Sequence, residues 1–135
     1  MPRGDTPSTK PLLDKLGVKP GMRIAVIAVD DAGFMRELQG REEVVSLGWG
    51  PDPQPGLDIV FLGVESPEDM ARLGELRERI QRDGAVWTVF RKGRKDFNEN
   101  DVLRLGLESG LVDVKIARFS DTHSATKWVI RKAER

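Results

Sequence analysis

Acidic and basic side chains stand where apolar, strand-like runs of this chain end. Asp30 and Asp31 close the first run, Glu65 closes another, and Arg91 and Lys92 follow a third. Cations at such points can hold an anionic group, while a neighbouring carboxylate orients a hydrogen-bond donor or accepts a proton. These residue types therefore predict a polar crevice that binds a ligand.

A polar turn expected at 120–126 adds three more candidates to this crevice, Asp121, His123 and Ser124. His123 could act as a general base because imidazole titrates near neutral pH, although a single histidine in a polar turn is more often simply exposed. We assign no catalytic or metal-binding residue. The predicted ligand-binding set is Asp30, Asp31, Glu65, Arg91, Lys92, Asp121, His123 and Ser124. The alternative hypothesis is that these loops are polar only because they are solvated.

The elements that must position these residues are predicted from apolar patterning. No polar residue interrupts 24–29, which is typical of a strand covered on both faces in a parallel sheet. Ligands bind such a sheet beyond the carboxyl ends of its strands. The predicted strands are 22–31, 43–47, 57–64, 85–90, 112–116 and 127–131, and the predicted helices are 11–16, 34–39, 66–83 and 99–109. Ser66 and Asn98, each with an acid three residues later, are predicted to cap the last two helices, and Gly17 and Gly84 to end the first and third. Glu75 and Arg79 are predicted to form an ion pair on the third helix.

The resulting fold class is α/β, a three-layer, Rossmann-like arrangement. Its mostly parallel sheet of about six strands ends in a C-terminal antiparallel hairpin, because the last two strands are close in sequence. A loop with three prolines at 48–56 separates two units, and Trp49 in that loop could cover the crevice or a partner surface. Trp87 and Trp128 fall within strands and are predicted to be core.

Composition excludes several kinds of protein. The 135 residues suit one domain, expected at 11–135 after a flexible tail at 1–10. Twenty-two basic and twenty-two acidic residues give zero net charge, so no global field attracts nucleic acid or an anionic membrane. With no cysteine and one histidine, thiolate chemistry and a zinc site are not expected. We expect a cytoplasmic protein without a membrane span or signal peptide.

A basic run at 91–95 allows one other class of function. Its side chains could contact phosphates while Trp49 stacks on a base, as in single-strand binders. Because no aromatic residue interrupts the run and the chain is neutral, a solvated loop is the favoured interpretation. A nucleic-acid accessory role is therefore the weakest hypothesis, and the oligomeric state stays open.

Several segments of the sequence resemble a known protein family. Residues 12–24, which read Leu-Leu-Asp-Lys-Leu-Gly-Val-Lys-Pro-Gly-Met-Arg-Ile, resemble the lead-in helix and first strand of class I S-adenosylmethionine-dependent methyltransferases. Residues 58–63 and 76–87 are similar to their fourth strand and to their fifth strand with its helix. More narrowly, 92–104, 106–115 and 124–129 look like a small uncharacterised bacterial family with a methyltransferase-like core.

The sequence departs from what that resemblance implies for the cofactor. Such a methyltransferase has a Gly-rich turn after its first strand, whereas 29–34 holds one glycine and two acids. It also has an acid after its second strand that holds the ribose hydroxyls, but here no acid follows until Asp52. The stretch 47–57 is too short for a third strand and its helix.

We therefore expect a degenerate methyltransferase-like domain with no bound cofactor. Its predicted role is a ligand-binding or protein-interaction module that does not transfer methyl groups. The alternative is a minimal S-adenosylmethionine-dependent methyltransferase with an altered cofactor site, in which Asp30 or Asp31 lies near the amino-acid end of the cofactor.

Overall fold

The computed structural model describes residues 11–41, 46–49 and 53–135, with the backbone alone at 46–49. The predicted flexible tail at 1–10 lies outside these residues. The strands are β1 (Arg23–Ile27), β2 (Ser46–Trp49), β3 (Leu57–Val64), β4 (Ile80–Arg91), β5 (Leu111–Arg118) and β6 (His123–Ile130). The helices are α1 (Leu12–Lys15), α2 (Ala32–Gln39), α3 (Pro67–Met70), α4 (Leu73–Leu76) and α5 (Glu99–Glu108), and a 3-10 turn follows at Lys132–Glu134.

The strands form one sheet in the order β2-β1-β3-β4-β6-β5. β1 runs parallel to both β2 and β3, and β3 runs parallel to β4. β6 runs antiparallel to β4 and to β5. The predicted α/β fold with a parallel first part and a C-terminal antiparallel hairpin is thus confirmed. The chain leaves β1 toward one edge to form β2 and returns on the other side to form β3.

Two apolar cores lie on the two faces of this sheet. One contains the inner side chains of α3, α4 and α5, and the other contains those of α1 and α2. Trp128 is fully buried in the first core and Trp87 in the second, as predicted. Each indole N–H has a partner, since Trp87 donates to the Leu16 carbonyl at 3.0 Å and Trp128 donates to Thr88 Oγ1 at 2.9 Å. The strands are therefore fixed by burial and by satisfied polar groups on both sides.

The end of α1 and the start of α5 are set by capping residues, as the sequence predicted. Gly17 takes a φ of 84° after α1, where glycine has no steric penalty. The Asn98 side chain accepts hydrogen bonds from the amides of Asn100 and Asp101. Asp101 in turn accepts the Asn98 N–H at 3.0 Å, which completes a capping box at α5.

The same capping box predicts a pH dependence of stability. The Asn98 N–H and then Arg104 stabilise the charged form of Asp101, so the pKa of this carboxyl lies below its usual value of 3.8. A lowered folded-state pKa adds stability above the usual pKa, and this part is lost as the pH falls through the folded-state pKa. In urea unfolding between about pH 5 and pH 2, Asp101→Asn should lose less stability than the native chain. Equal losses in the two proteins would contradict this.

The structure corrects the helix predicted from Ser66 to Gly84. Ser66 caps a helix as expected, but α3 and α4 are each a single helical turn. Glu75 forms its ion pair with Arg72 and not, as was predicted, with Arg79. The chain is already in β4 at Ile80, which is paired with Leu57. Gly84 ends no helix. It lies in β4 next to the β3 main chain, where a Cβ atom would come within 2.9 Å of the Asp58 carbonyl oxygen.

Other boundaries also differ from the prediction. β1 was predicted to reach 31 but ends at Ile27, and Asp31 instead caps α2. β2 covers Ser46–Trp49, whereas a strand was predicted at 43–47, of which 43–45 lie outside the described residues. Trp49 is therefore a strand residue, in register with Val26, and not a loop residue. In the hairpin, β6 begins at His123, so His123 and Ser124 lie in a strand and not in the predicted turn. Pairing of residues 123–129 with β4 extends this strand toward the turn.

Candidate functional site

A cleft of about 240 Å³ lies beyond the carboxyl ends of β1 and β3. These are the neighbouring strands from which the chain leaves in opposite directions, and open α/β sheets bind ligands at this point. Residues from four segments line the cleft: Ala28, Val29, Asp30, Asp31, Gly63, Val64, Glu65, Val89, Phe119, Thr122 and His123.

A tight contact between Ala28 and Gly63 forms the floor of this cleft. Ala28 has a φ of 58°, a left-handed conformation that strains a residue with a Cβ atom by about 1–2 kcal/mol. A Cβ atom built on Gly63 would lie 2.1 Å from the Ala28 carbonyl oxygen, so only glycine fits there. The chain therefore turns sharply out of β1 and rests its carbonyl on β3.

Three carboxylic acids stand around the rim of the cleft, each in a different setting. Asp31 caps α2, because its Oδ1 accepts the Phe34 N–H at 2.9 Å. Asp30 and Glu65 are exposed, and the Glu65 N–H is held by Asp69 Oδ2 at 2.8 Å. One oxygen of Asp31 and the carboxylates of Asp30 and Glu65 thus remain able to accept hydrogen bonds from a ligand.

The opposite wall of the cleft comes from the hairpin. His123 is half-buried, and its Nδ1 lies 2.8 Å from Thr122 Oγ1. Phe119 packs against Phe34, with ring centroids 4.9 Å apart, and gives this wall an apolar base. The cleft therefore combines acidic groups, an imidazole and an apolar surface.

A second pocket of about 370 Å³ lies at the carboxyl end of β4, next to the N-terminal end of α5. His123 of the cleft and Ser124 of the second pocket are consecutive in β6, and they pair with Arg91 and Phe90 of β4. The residues lining the second pocket are Phe90, Arg91, Lys92, Gly93, Arg94, Asn98, Glu99 and Ser124.

The Arg94 side chain links the second pocket to the cleft. It donates to the Glu65 carbonyl oxygen at 2.8 Å, and it forms two hydrogen bonds with the Asp96 carboxylate at 2.9 and 3.1 Å. This contact raises the pKa of Arg94 above its usual value, and it holds the pKa of Asp96 below its usual range. Arg94 is therefore a structural cation whose charge Asp96 balances.

The structure distributes the predicted ligand-binding residues over two places. Asp30, Asp31, Glu65 and His123 line the cleft, whereas Arg91, Lys92 and Ser124 line the second pocket. Asp121 lies in neither, because its exposed side chain forms an ion pair with Arg118. The acidic and basic groups thus occupy adjacent pockets, not one shared crevice.

Sequence reasoning missed the residues that shape the two pockets. Gly63 interrupts an apolar strand, and an isolated glycine in a strand often marks a close approach of another backbone, so a signal was present. Asn98 was recognised only as a helix cap. Ala28, Thr122 and Phe119 carried no local signal, because their places depend on which strands are neighbours.

The sequence resemblance implies S-adenosylmethionine as the cofactor, and the residues that line the cleft bear on whether it fits. The cleft is smaller than the roughly 300–1,000 Å³ usual for ligand sites, and the first turn carries two acidic side chains where a cofactor would approach the main chain. The residues that follow β2, where a ribose acid would stand, lie outside the described part of the chain. The described residues therefore reproduce the position of such a site in the sheet.

In the described part of the chain, no three His, Asp or Glu side chains come close enough together to hold a metal ion. None of the described helices is long and apolar enough to cross a membrane.

Comparison by sequence finds neither a matching family model nor a matching curated protein. Comparison by structure finds three similar proteins among others. An S-adenosylmethionine-dependent methyltransferase from Aquifex aeolicus has a TM-score of 0.61 at 14% identity, covering 89% of this chain and 88% of its own. The pyocyanin biosynthetic protein PhzM has a TM-score of 0.64 at 14% identity, covering 88% of this chain.

The third similar structure is CalO1, a methyltransferase in calicheamicin biosynthesis solved with S-adenosylhomocysteine bound. It has a TM-score of 0.63 at 17% identity and covers 89% of this chain. This chain spans only 53% of PhzM and 52% of CalO1. Identities this low establish the fold alone. The chain therefore has a methyltransferase-like α/β core, with its acidic cleft at the point where such a sheet binds ligands.

Proposed function

We propose that this protein is a methyltransferase-like ligand-binding module that does not transfer methyl groups. Its cleft takes a small molecule with a positively charged group, such as an amine or a guanidine. The observation that supports this most strongly is the chemistry of the cleft at the switch from β1 to β3. Asp30, Asp31 and Glu65 stand there, and none of the described residues that line the cleft is Lys or Arg.

Simple electrostatics favour a cation in this position. A unit charge about 4 Å from a carboxylate gains roughly 1 kcal/mol in water and more where a cleft excludes solvent. A ligand ammonium also donates up to three hydrogen bonds, which matches the free carboxylate oxygens of the rim. The Arg94 guanidinium lies near Glu65, but Asp96 balances its charge.

The turn after β1 supports binding without methyl transfer. The Asp31 carboxylate already occupies the N-terminal end of α2, and the Ala28 carbonyl is fixed on Gly63. They stand where a Gly-rich turn would let a nucleoside approach the backbone. They leave a cleft suited to a ligand smaller than S-adenosylmethionine.

A minimal S-adenosylmethionine-dependent methyltransferase is the second candidate. It is supported by the fold, by the place of the cleft in the sheet, and by CalO1, a structural neighbour solved with S-adenosylhomocysteine bound. In this form of the proposal, Asp30 or Asp31 lies near the amino-acid end of the cofactor. A bound cofactor would supply the methyl group.

A thermal-shift panel separates the two candidates. We expect 1,4-diaminobutane or a small guanidine to raise the melting temperature by several degrees, because a ligand at about 100 times its dissociation constant adds roughly 2.7 kcal/mol. S-adenosylhomocysteine should produce no shift. Asp30→Asn and Glu65→Gln should each weaken amine binding about fivefold, as expected for losing about 1 kcal/mol of attraction.

Asp113→Asn is the matched control, since it removes one exposed acid on β5, away from the cleft. It should leave amine binding unchanged. If Asp113→Asn weakens binding as much as Asp30→Asn does, the attraction is nonspecific and the proposed cleft is wrong. A stabilising shift with S-adenosylhomocysteine would favour the methyltransferase.

A further inference from the structure

We propose that the second pocket, at the carboxyl end of β4, is an oxyanion site that takes the phosphate group of a small phosphate monoester. This pocket stands on its own residues and does not depend on what the acidic cleft binds. Its chemistry is the opposite of that of the cleft. Arg91 and Lys92 contribute two positive charges, and Asn98 and Ser124 contribute neutral polar groups.

Arg91 and Lys92 are held in no ion pair in the described structure, although one acid, Glu99, also lines the pocket. Both cations are exposed. Arg94, the third cation of the lining, differs because Asp96 holds it. Two available cations match the charge of about −2 that a phosphate monoester carries above its second pKa, near 6.

The loop that carries these cations is held in place by main-chain contacts. The Lys92 N–H donates to the Thr122 carbonyl at 2.9 Å, which ties the loop to the hairpin turn. Gly93 turns the chain with a φ of 79°. Arg94 then ties the loop to the Glu65 carbonyl. A loop fixed on two sides loses little conformational freedom when it binds an anion.

The neutral groups of the pocket are suited to donating hydrogen bonds. Asn98 Oδ1 already accepts two main-chain amides, so its Nδ2 is the group left to contact a ligand. Ser124, which also lines the pocket, is half-buried and carries a hydroxyl donor. The ten-residue helix α5 begins at this pocket and adds a small positive potential.

The size and the charge pattern distinguish a small ligand from a nucleic-acid backbone. About 370 Å³ is more than a phosphate alone needs, which leaves room for the organic part of an ester. Lys95 belongs to the same basic run and is exposed, but it does not line the pocket. A polyanion tracking the loop would use Lys95 as well, whereas a ligand in the pocket would not.

The test is a titration of the ¹⁵N-labelled full chain with inorganic phosphate at about pH 7.5, where phosphate is mostly a dianion. We expect saturable shifts of the amides of Lys92, Gly93 and Ser124. Arg91→Gln and Lys92→Gln should each weaken binding about tenfold. The control Lys95→Gln removes a charge from the same loop and should change the affinity less than twofold.

Replacing Glu99 is expected to change the phosphate affinity in the opposite direction. Glu99 is the one acid in the described lining of the pocket, so Glu99→Gln should tighten phosphate binding several-fold. The absence of saturable shifts in the native chain would overturn the proposal. Equal weakening of phosphate binding by Lys95→Gln and Lys92→Gln would also overturn it, because the attraction would then come from the whole basic loop. Equal affinity of the native chain for acetate and for phosphate would overturn it as well. Because Arg91 and Lys92 are exposed, unchanged melting temperatures should show that the variants are folded.

Discussion

Replacing Gly63 with alanine is expected to destabilise the protein by about 3 kcal/mol, as for severe overpacking of a core. The new Cβ atom would lie 2.1 Å from the Ala28 carbonyl oxygen and 2.8 Å from its carbonyl carbon. Both are main-chain atoms at the ends of paired strands, so neither can move without disturbing the sheet. Urea unfolding measures the loss directly.

The substitution Gly74→Ala is the matched control for Gly63→Ala. Gly74 lies in α4, and no heavy atom comes within 4 Å of a Cβ atom built there. Since alanine favours helix over glycine by about 0.5–1 kcal/mol, this variant should be as stable as the native chain or more stable. If Gly63→Ala costs less than about 1 kcal/mol, then Ala28 does not rest on β3 as the structure has it.

Replacing Gly106 with alanine is expected to cost about 3 kcal/mol for a different reason. A Cβ atom at Gly106 would lie 2.1 Å from Cη2 and Cζ2 of the Trp128 ring. Trp128 is fully buried, and its indole N–H is held by Thr88, so the ring cannot turn away. α5 would have to lift from the sheet to make room.

A double-mutant cycle with Trp128→Phe tests this cause. Phenylalanine lacks the larger part of the indole that carries the clashing atoms, so Gly106→Ala should cost about 1 kcal/mol in that background. The expected coupling is therefore about 2 kcal/mol. Equal costs of Gly106→Ala in the two backgrounds would show that Trp128 is not the obstacle. Trp128→Phe alone should also destabilise, because Thr88 loses its hydrogen-bond donor.

The parts of the fold that follow from local chemistry were predictable. The uninterrupted apolar run of β1 predicted a strand covered on both faces, and Asn98 with Asp101 predicted the start of α5. The helix predicted from Ser66 to Gly84 was wrong because a long-range contact decides that segment. Ile80 pairs with Leu57, and this pairing draws the chain into β4 before a longer helix can form.

The candidate site was predictable only in part, for a related reason. The rule that ligands bind at strand ends placed the acids near one edge of the sheet, where the structure has Asp30, Asp31 and Glu65 around a cleft. The sequence could not show that Arg91 lines a different pocket, or that Asp121 pairs with Arg118. Both facts depend on the register of the hairpin, which spacing along the chain does not reveal.

We propose that the cleft between β1 and β3 takes a small cationic ligand and not the methyltransferase cofactor. The most direct test of this proposal is an amide-shift titration with 1,4-diaminobutane and, separately, S-adenosylhomocysteine, which lacks the sulfonium charge that any acidic cleft would attract. We predict that the diamine shifts the amides of 28–31 and 63–65 saturably and that S-adenosylhomocysteine leaves them unmoved. Saturable shifts of those amides by S-adenosylhomocysteine, with none from the diamine, would contradict the account.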